Sequence, residues 1–282
     1  MTLSFVLRVC FVRSEGKDSV RFPPEGGDSH TRTSVAPPTA ADALGRLKAL
    51  GLGDDDAEAL LAHFGDAEQR GKKGHGYSRI PWLEQQPFDR QGRPAKTQSL
   101  PGLDHWEGRG ALGYLTLQAI CDDVIASPPV ATRVIVAAGC FPTGALGYWV
   151  RMLAERAGLV AVLTATSPPR LAHPDGGPLL TGTNPLAIAI PASEGPPVVV
   201  DVSMGAVTHG DVLAGLAAPE DLVPFGGASA HKAFALAVGL ELLVGTLAGP
   251  GHGAVLLVAR PEFDPVPGFR ELAAGLRLPG DS

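Results

Sequence analysis

The sequence predicts an α/β protein, and three observations carry that expectation. From residue 112 onward, segments with helical apolar spacing alternate with short apolar runs of strand length. Thirty-six glycines and 26 prolines punctuate the chain, so turns are frequent and long helices few. Apolar residues make up 45% and charged residues 18% of 282, enough to bury a substantial core in one large domain or two intertwined ones.

Taken in order, residues 3–12 are apolar but short and interrupted by Arg8, which reads as an edge strand or an arm rather than a signal peptide. Residues 14–38, rich in Gly, Pro, Ser, Asp and Thr, read as a linker. Two short helices follow at 39–50 and 56–64, the second with Asp54, Asp55 and Asp56 as N-cap and favourable first-turn charge. Residues 84–105 are polar and read as irregular. Over 112–125, Leu112, Leu115, Ala119 and Ile120 share one helical face, which Val124 continues. Strands are expected at 133–138, 159–164, 186–190, 197–203 and 253–259, with helices at 144–157 and 267–276. Residues 230–247 form a long helix, apolar almost all round, and such a helix is expected to be buried.

The bulk properties exclude several classes. A net charge of −6 with no basic face gives no reason to expect nucleic acid. No segment nears the ~20 apolar residues of a membrane span. Cys10, Cys121 and Cys140 are odd in number and widely spaced, which fits a reduced cytoplasmic protein better than a disulfide framework. No metal site is expected.

One motif invites a cofactor reading and fails its context. Gly108-Arg109-Gly110-Ala111-Leu112-Gly113 spells the GxGxxG dinucleotide fingerprint, which works between a buried strand and a helix. The preceding residues 100–107 contain Pro101, Asp104, His105 and Glu107 and do not read as a central strand. A glycine-rich helix start is the simpler reading.

Other residues suit chemistry on a small acid. His75 and Arg79 are four apart, on one face if helical. Arginine captures carboxylates in bidentate fashion, and histidine transfers protons near neutral pH. Asp201 ends the apolar run Val198-Val199-Val200, where an acid is costly unless satisfied or used as a cap. Lys232 opens the long helix, where a cation is unfavourable unless an anion binds there. Cys140 sits between a strand and a helix, a place that can activate a thiol, although a buried inert cysteine is the better-fitting reading.

The segments Gly182-Thr183-Asn184-Pro185, Gly74-His75-Gly76-Tyr77-Ser78-Arg79, Gly144-Ala145-Leu146-Gly147-Tyr148, Thr164-Ala165-Thr166-Ser167-Pro168-Pro169 and Gly226-Gly227-Ala228-Ser229-Ala230-His231-Lys232 together resemble the malate/L-lactate dehydrogenase family of NAD(P)-dependent oxidoreductases. That family includes ureidoglycolate dehydrogenase and delta1-piperideine-2-carboxylate reductase. The resemblance implies a non-Rossmann α/β fold with a central mixed sheet, flanking helices and an N-terminal helical part. On this plan 1–38 is an extension, 39–105 the helical part, 106–225 the nucleotide-binding part, and 226–282 completes the core.

The resemblance also implies NADPH or NADH as cofactor, a small-molecule carboxylate substrate, and a homodimer. It makes His75 and Arg79 catalytic, and Thr166, Ser167, Asn184, Asp201, Ser203 and Lys232 cofactor-binding. One departure is serious: the family's catalytic histidine falls on Pro142. Either another group donates the proton, with His75, Tyr77, Tyr148, His231 and Cys140 as candidates, or the protein is a catalytically altered relative. Such a relative would bind a nucleotide or small acid, or run a non-redox cyclisation or elimination. An imine substrate gains weight from Pro142, because an iminium arrives already protonated.

Overall fold

The computed structural model describes residues 38–281; the expectations for residues 3–12, for most of 14–38 and for Cys10 lie outside them. Helices α1 (Ala40–Ala49) and α2 (Asp54–Gln69) pair at the start. Thr39 caps α1 in a reciprocal box with Asp42. Gly53 is the N-cap of α2, and the three aspartates occupy its first turn, so they act on the helix dipole and not as the cap. Two 3-10 turns, Lys73–His75 and Tyr77–Arg79, lead into α3 (Ile80–Leu83).

The segment read as irregular contains two strands, β1 (Ala95–Leu100) and β2 (Leu103–Glu107). Periodicity missed them because the buried positions of β2 are Asp104 and Trp106. Asp104, 2% exposed, is accommodated by the Ser99 hydroxyl at 2.6 Å and by Lys96 and Arg133 at 3.4 and 3.6 Å. Then come α4 (Gly113–Ala126), β3 (Thr132–Ala138), α5 (Leu146–Ala157) and β4 (Val160–Ala165). A small β5–β6 ribbon (Leu171–Ala172, Leu179–Thr181) precedes β7 (Leu186–Ile190) and β8 (Val198–Val202). The chain closes with α6 (His209–Leu213), α7 (Ala230–Ala248), β9 (Gly253–Ala259) and α8 (Val266–Leu272).

Seven strands form one mixed sheet in the order β1-β2-β3-β9-β4-β7-β8. Among the described residues only β2 and β3 run parallel, and the late strand β9 is inserted between β3 and β4. This is not the parallel doubly wound sheet of a Rossmann domain. Residue 105 lies within β2, so the segment 39–105 contributes two strands to the same sheet.

The GxGxxG segment does stand between a strand and a helix, β2 and α4, against expectation. Two of its glycines serve close backbone packing. The Gly139 carbonyl fills the place of a Cβ at Gly108, and a Cβ at Gly113 would lie 2.6 Å from the Phe141 nitrogen.

Helix α7 departs from expectation most. It packs on the sheet through Ala233, Ala237 and Val244, while Leu236, Leu242, Leu243 and Leu247 are 42–63% exposed. Apolarity all round therefore does not mean burial here: small residues face the sheet and leucines face outward. Residues Gly227–Ala248 also have the length and composition of a membrane span, contrary to the sequence reading.

Candidate active site

A cavity of about 270 Å³ opens where the turns after α2, the β3–α5 connection, the ends of β4 and β8, and α6 converge. Its walls include Lys72, His75, Arg79, Pro142, Thr166, Ser167, Asp201, Ser203, His209 and Asp211. Six of the eight sequence-predicted site residues thus share one cavity. Gly74 lets the turn after α2 meet α6: a Cβ there would come within 2.6 Å of the Asp211 backbone nitrogen.

Arg79 is 7% exposed, and its guanidinium lies 3.9 Å over the Trp82 ring beside Tyr114. Its Nε and Nη1 are buried without a hydrogen-bond partner. Burial lowers its pKa, but guanidinium remains charged at neutral pH. A buried cation with unpaired N–H groups is costly and calls for an anion.

His75 is held to about pKa 4, chiefly by burial and then by the charge of Arg79, with Asp201 and Asp211 pulling the other way. It is neutral at pH 7, and its Nδ1 is buried without a partner. Asp201, at the end of β8, is satisfied by Lys72, whose Nζ lies 2.5 Å from its Oδ2. Nothing in the sequence singles out Lys72, although the need of Asp201 for a partner was legible.

Thr166 also lines the cavity, and its Oγ1 accepts from the Gly253 nitrogen at 3.0 Å. Ser167 keeps its Oγ buried and unpartnered. The Ser203 hydroxyl donates to the Gly205 carbonyl at 3.2 Å.

Two predicted residues stand apart. Asn184 is fully buried, and its Nδ2 donates to Glu241 Oε2 at 2.7 Å and to the Ala237 carbonyl at 3.1 Å, tying the turn before β7 to α7. Lys232 is exposed in the first turn of α7 and does not line the cavity.

Of the candidate proton donors, only His75 reaches this cavity. Tyr148 lines a separate groove beside Arg93 and Arg156, and His231 is not among the cavity's lining residues. Cys140 is fully buried, with its thiol against the Gly113 carbonyl and its pKa pushed up to about 12 by burial. An activated thiolate is not available there.

The wall carrying Pro142 is braced from behind by His63, which sequence reasoning overlooked. Its Nε2 accepts from the Ala145 nitrogen at 3.1 Å, and burial drives its pKa down to about 3, so it stays neutral.

Fold and site together define a class: an α/β protein outside the Rossmann plan, with a cavity lined by an anion-seeking arginine. The family model for malate/L-lactate dehydrogenase matches residues 41–221. The (2R)-3-sulfolactate dehydrogenase (NADP(+)) of Chromohalobacter salexigens is 30% identical, over 75% of this chain and 71% of its own. The Delta(1)-pyrroline-2-carboxylate/Delta(1)-piperideine-2-carboxylate reductase of Pseudomonas syringae pv. tomato is 28% identical, over 90% of each chain. Among solved structures, the delta1-piperideine-2-carboxylate reductase of that organism superposes with a TM-score of 0.74 at 23% identity, covering 89% of this chain and 92% of that one. The malate dehydrogenase of Pyrococcus horikoshii gives a TM-score of 0.72 at 21% identity, over 83% and 78%. The chain therefore belongs to the malate/L-lactate dehydrogenase family and is an NAD(P)-dependent oxidoreductase.

Proposed function

We propose that the protein is an NAD(P)H-dependent reductase of a small 2-oxo acid or of an imine derived from an amino acid. One observation carries the reading: Arg79 lines a cavity sized for a small acid and carries two buried N–H groups without partners. A substrate carboxylate accepting both would relieve the cost of the buried cation. His75, neutral and three residues from Lys72, would orient the substrate through its unpartnered ring nitrogen.

The bound coenzyme would supply the hydride. Three residues with buried polar atoms lacking partners (Arg79, His75 and Ser167) on the walls of one cavity fit a nicotinamide beside a carboxylate. Thr166, Ser167, Asp201 and Ser203 are assigned to the nicotinamide half of the coenzyme, and Asn184 supports their wall from behind. Lys232, a cation at a helix start, is left for the phosphates. The proposal extends to a homodimer, whose second copy would cover the exposed leucines of α7. It extends also to a reducing, cytoplasmic setting, in keeping with the free, buried thiols of Cys121 and Cys140.

Pro142, which lines the cavity, favours a second reading, a relative that binds coenzyme and acid without turnover. Calorimetric titration with NADH and NADPH tests the common part. Micromolar binding of either coenzyme, followed by its oxidation with an oxo acid or cyclic imine, supports the reductase. Binding without oxidation supports the silent relative. No heat with either coenzyme refutes both.

A further inference from the structure

The reductase reading leaves proton delivery unassigned, because Pro142 stands where the resemblance places a histidine. We propose that Lys72 fills this role: its Nζ, anchored by Asp201 on the cavity wall, donates the proton to the oxygen or nitrogen of the reduced bond. The inference rests on the reductase reading.

The cavity holds few alternatives. Arg79 keeps its protons at any working pH. Asp211 is spent on its own helix, its Oδ2 accepting from the Thr208 nitrogen and hydroxyl at 2.9 and 2.8 Å. His75 is a buried neutral imidazole surrounded by Arg79, Lys72, Asp201 and Asp211. The His209 ring packs edge-on to Trp82. Lys72 combines a transferable proton with a fixed position. Its backbone nitrogen donates to the Ala67 carbonyl at 2.8 Å, and its carbonyl accepts from the His75 nitrogen at 2.8 Å. That single 3-10 turn brings residues three apart to the same side, and both line the cavity.

Asp201 fixes the other end. A Cβ at Gly147 would lie 2.9 Å from Asp201 Oδ2, so the carboxylate sits tightly against the first turn of α5. The side chain of Lys72 is 37% exposed, which gives its nitrogen a route to solvent for reprotonation.

The step balances. A hydride pair from the reduced coenzyme bonds to the substrate carbon, and the π pair of the C=O or C=N bond moves to the heteroatom. The heteroatom takes one proton from Lys72 Nζ, leaving a hydroxy or amino acid, a neutral lysine and the oxidised coenzyme. Water then returns the proton to lysine.

Three preparations test this: the parent chain, Lys72→Arg and Lys72→Ala. The parent must bind and oxidise coenzyme, and a parent that does not refutes the reductase reading itself. In both variants, coenzyme affinity measured by nicotinamide fluorescence is expected within about threefold of the parent, while turnover falls by roughly 10²–10⁴, the usual share of general acid catalysis. Lys72→Arg keeps the charge and the partner but has no proton to give, so it separates acid from counter-ion. Ethylammonium added to Lys72→Ala is expected to restore turnover at least tenfold. Turnover of Lys72→Arg within threefold of the parent, or no restoration by the amine, overturns the assignment.

Discussion

Replacing Arg79 with methionine separates function from stability in a way a purely structural arginine would not. Arg79 is 7% exposed and leaves two N–H groups unpaired, so in the free protein its guanidinium is a burden on the fold. Methionine removes that burden and fills most of the space, while the stacking on Trp82, worth ~0.5–2 kcal/mol, is partly lost. These terms nearly cancel, so stability is expected to change by no more than about 1 kcal/mol, or ~2–4 °C in Tm for a protein of this size. Function should respond oppositely. A hydrogen bond to a charged group is worth roughly 1.5–3 kcal/mol, so losing a two-pronged carboxylate contact should lower kcat/KM by at least about a hundredfold, chiefly through KM. The milder change Arg79→Lys keeps one prong and should lose about tenfold or somewhat more. Calorimetric melting and steady-state coenzyme oxidation provide the two readouts. A melting point more than about 10 °C lower, or activity within tenfold of the parent for Arg79→Met, would refute the anion-seeking role.

Other perturbations follow from the same geometry. The folded-state pKa values of His63 and His75, about 3 and about 4, lie below the usual value of 6.5, so the unfolded chain binds more protons in between. Stability is then full above pH 6.5 and is lost as pH falls; from pH 7 to 5 the two groups together should cost roughly 3–4 kcal/mol, seen as a lower urea midpoint. A midpoint unchanged over that range would show that these imidazoles are not buried neutral. Gly74→Ser would bring a Cβ up against the Asp211 nitrogen. A loss of ~1–3 kcal/mol in chemical denaturation is expected, and an unchanged midpoint would contradict the close approach. Leu242→Glu, on the outward face of α7, is expected to shift sedimentation equilibrium from dimer to monomer, and an unaltered dimer would place the interface elsewhere. Cys140→Ser should leave kcat/KM within about threefold, since the thiol faces the Gly113 carbonyl and not the cavity; a loss beyond tenfold would revive thiol chemistry.

Much of the fold was legible because its strands and helices are simple apolar runs; β7 and β9 begin and end where alternation and composition place them. The misreadings share a cause, namely partners distant in sequence. Strand β2 buries Asp104 because Lys96, Ser99 and Arg133 come to it, and α7 turns alanines to the sheet and leucines outward. The site behaved likewise. The local pair His75 and Arg79 and the Asp201 strand end could be seen in the chain, and all meet in one cavity. Lys72 and His63 could not be singled out, because their significance lies in contacts 129 and 82 residues away. Asn184 stood in a recognisable turn, yet its side chain faces α7, a direction no motif encodes.

The cavity around Arg79 is proposed to reduce a carboxylate-bearing substrate. Coenzyme oxidation, followed by the loss of reduced-nicotinamide absorbance, tests it with 2-oxo acids and cyclic imino acids set against their decarboxylated counterparts. Turnover confined to compounds that carry the carboxylate, and abolished in Arg79→Met, is the expected result. Equal turnover of acids and their carboxylate-free analogues, or none with any acid despite bound coenzyme, would contradict it.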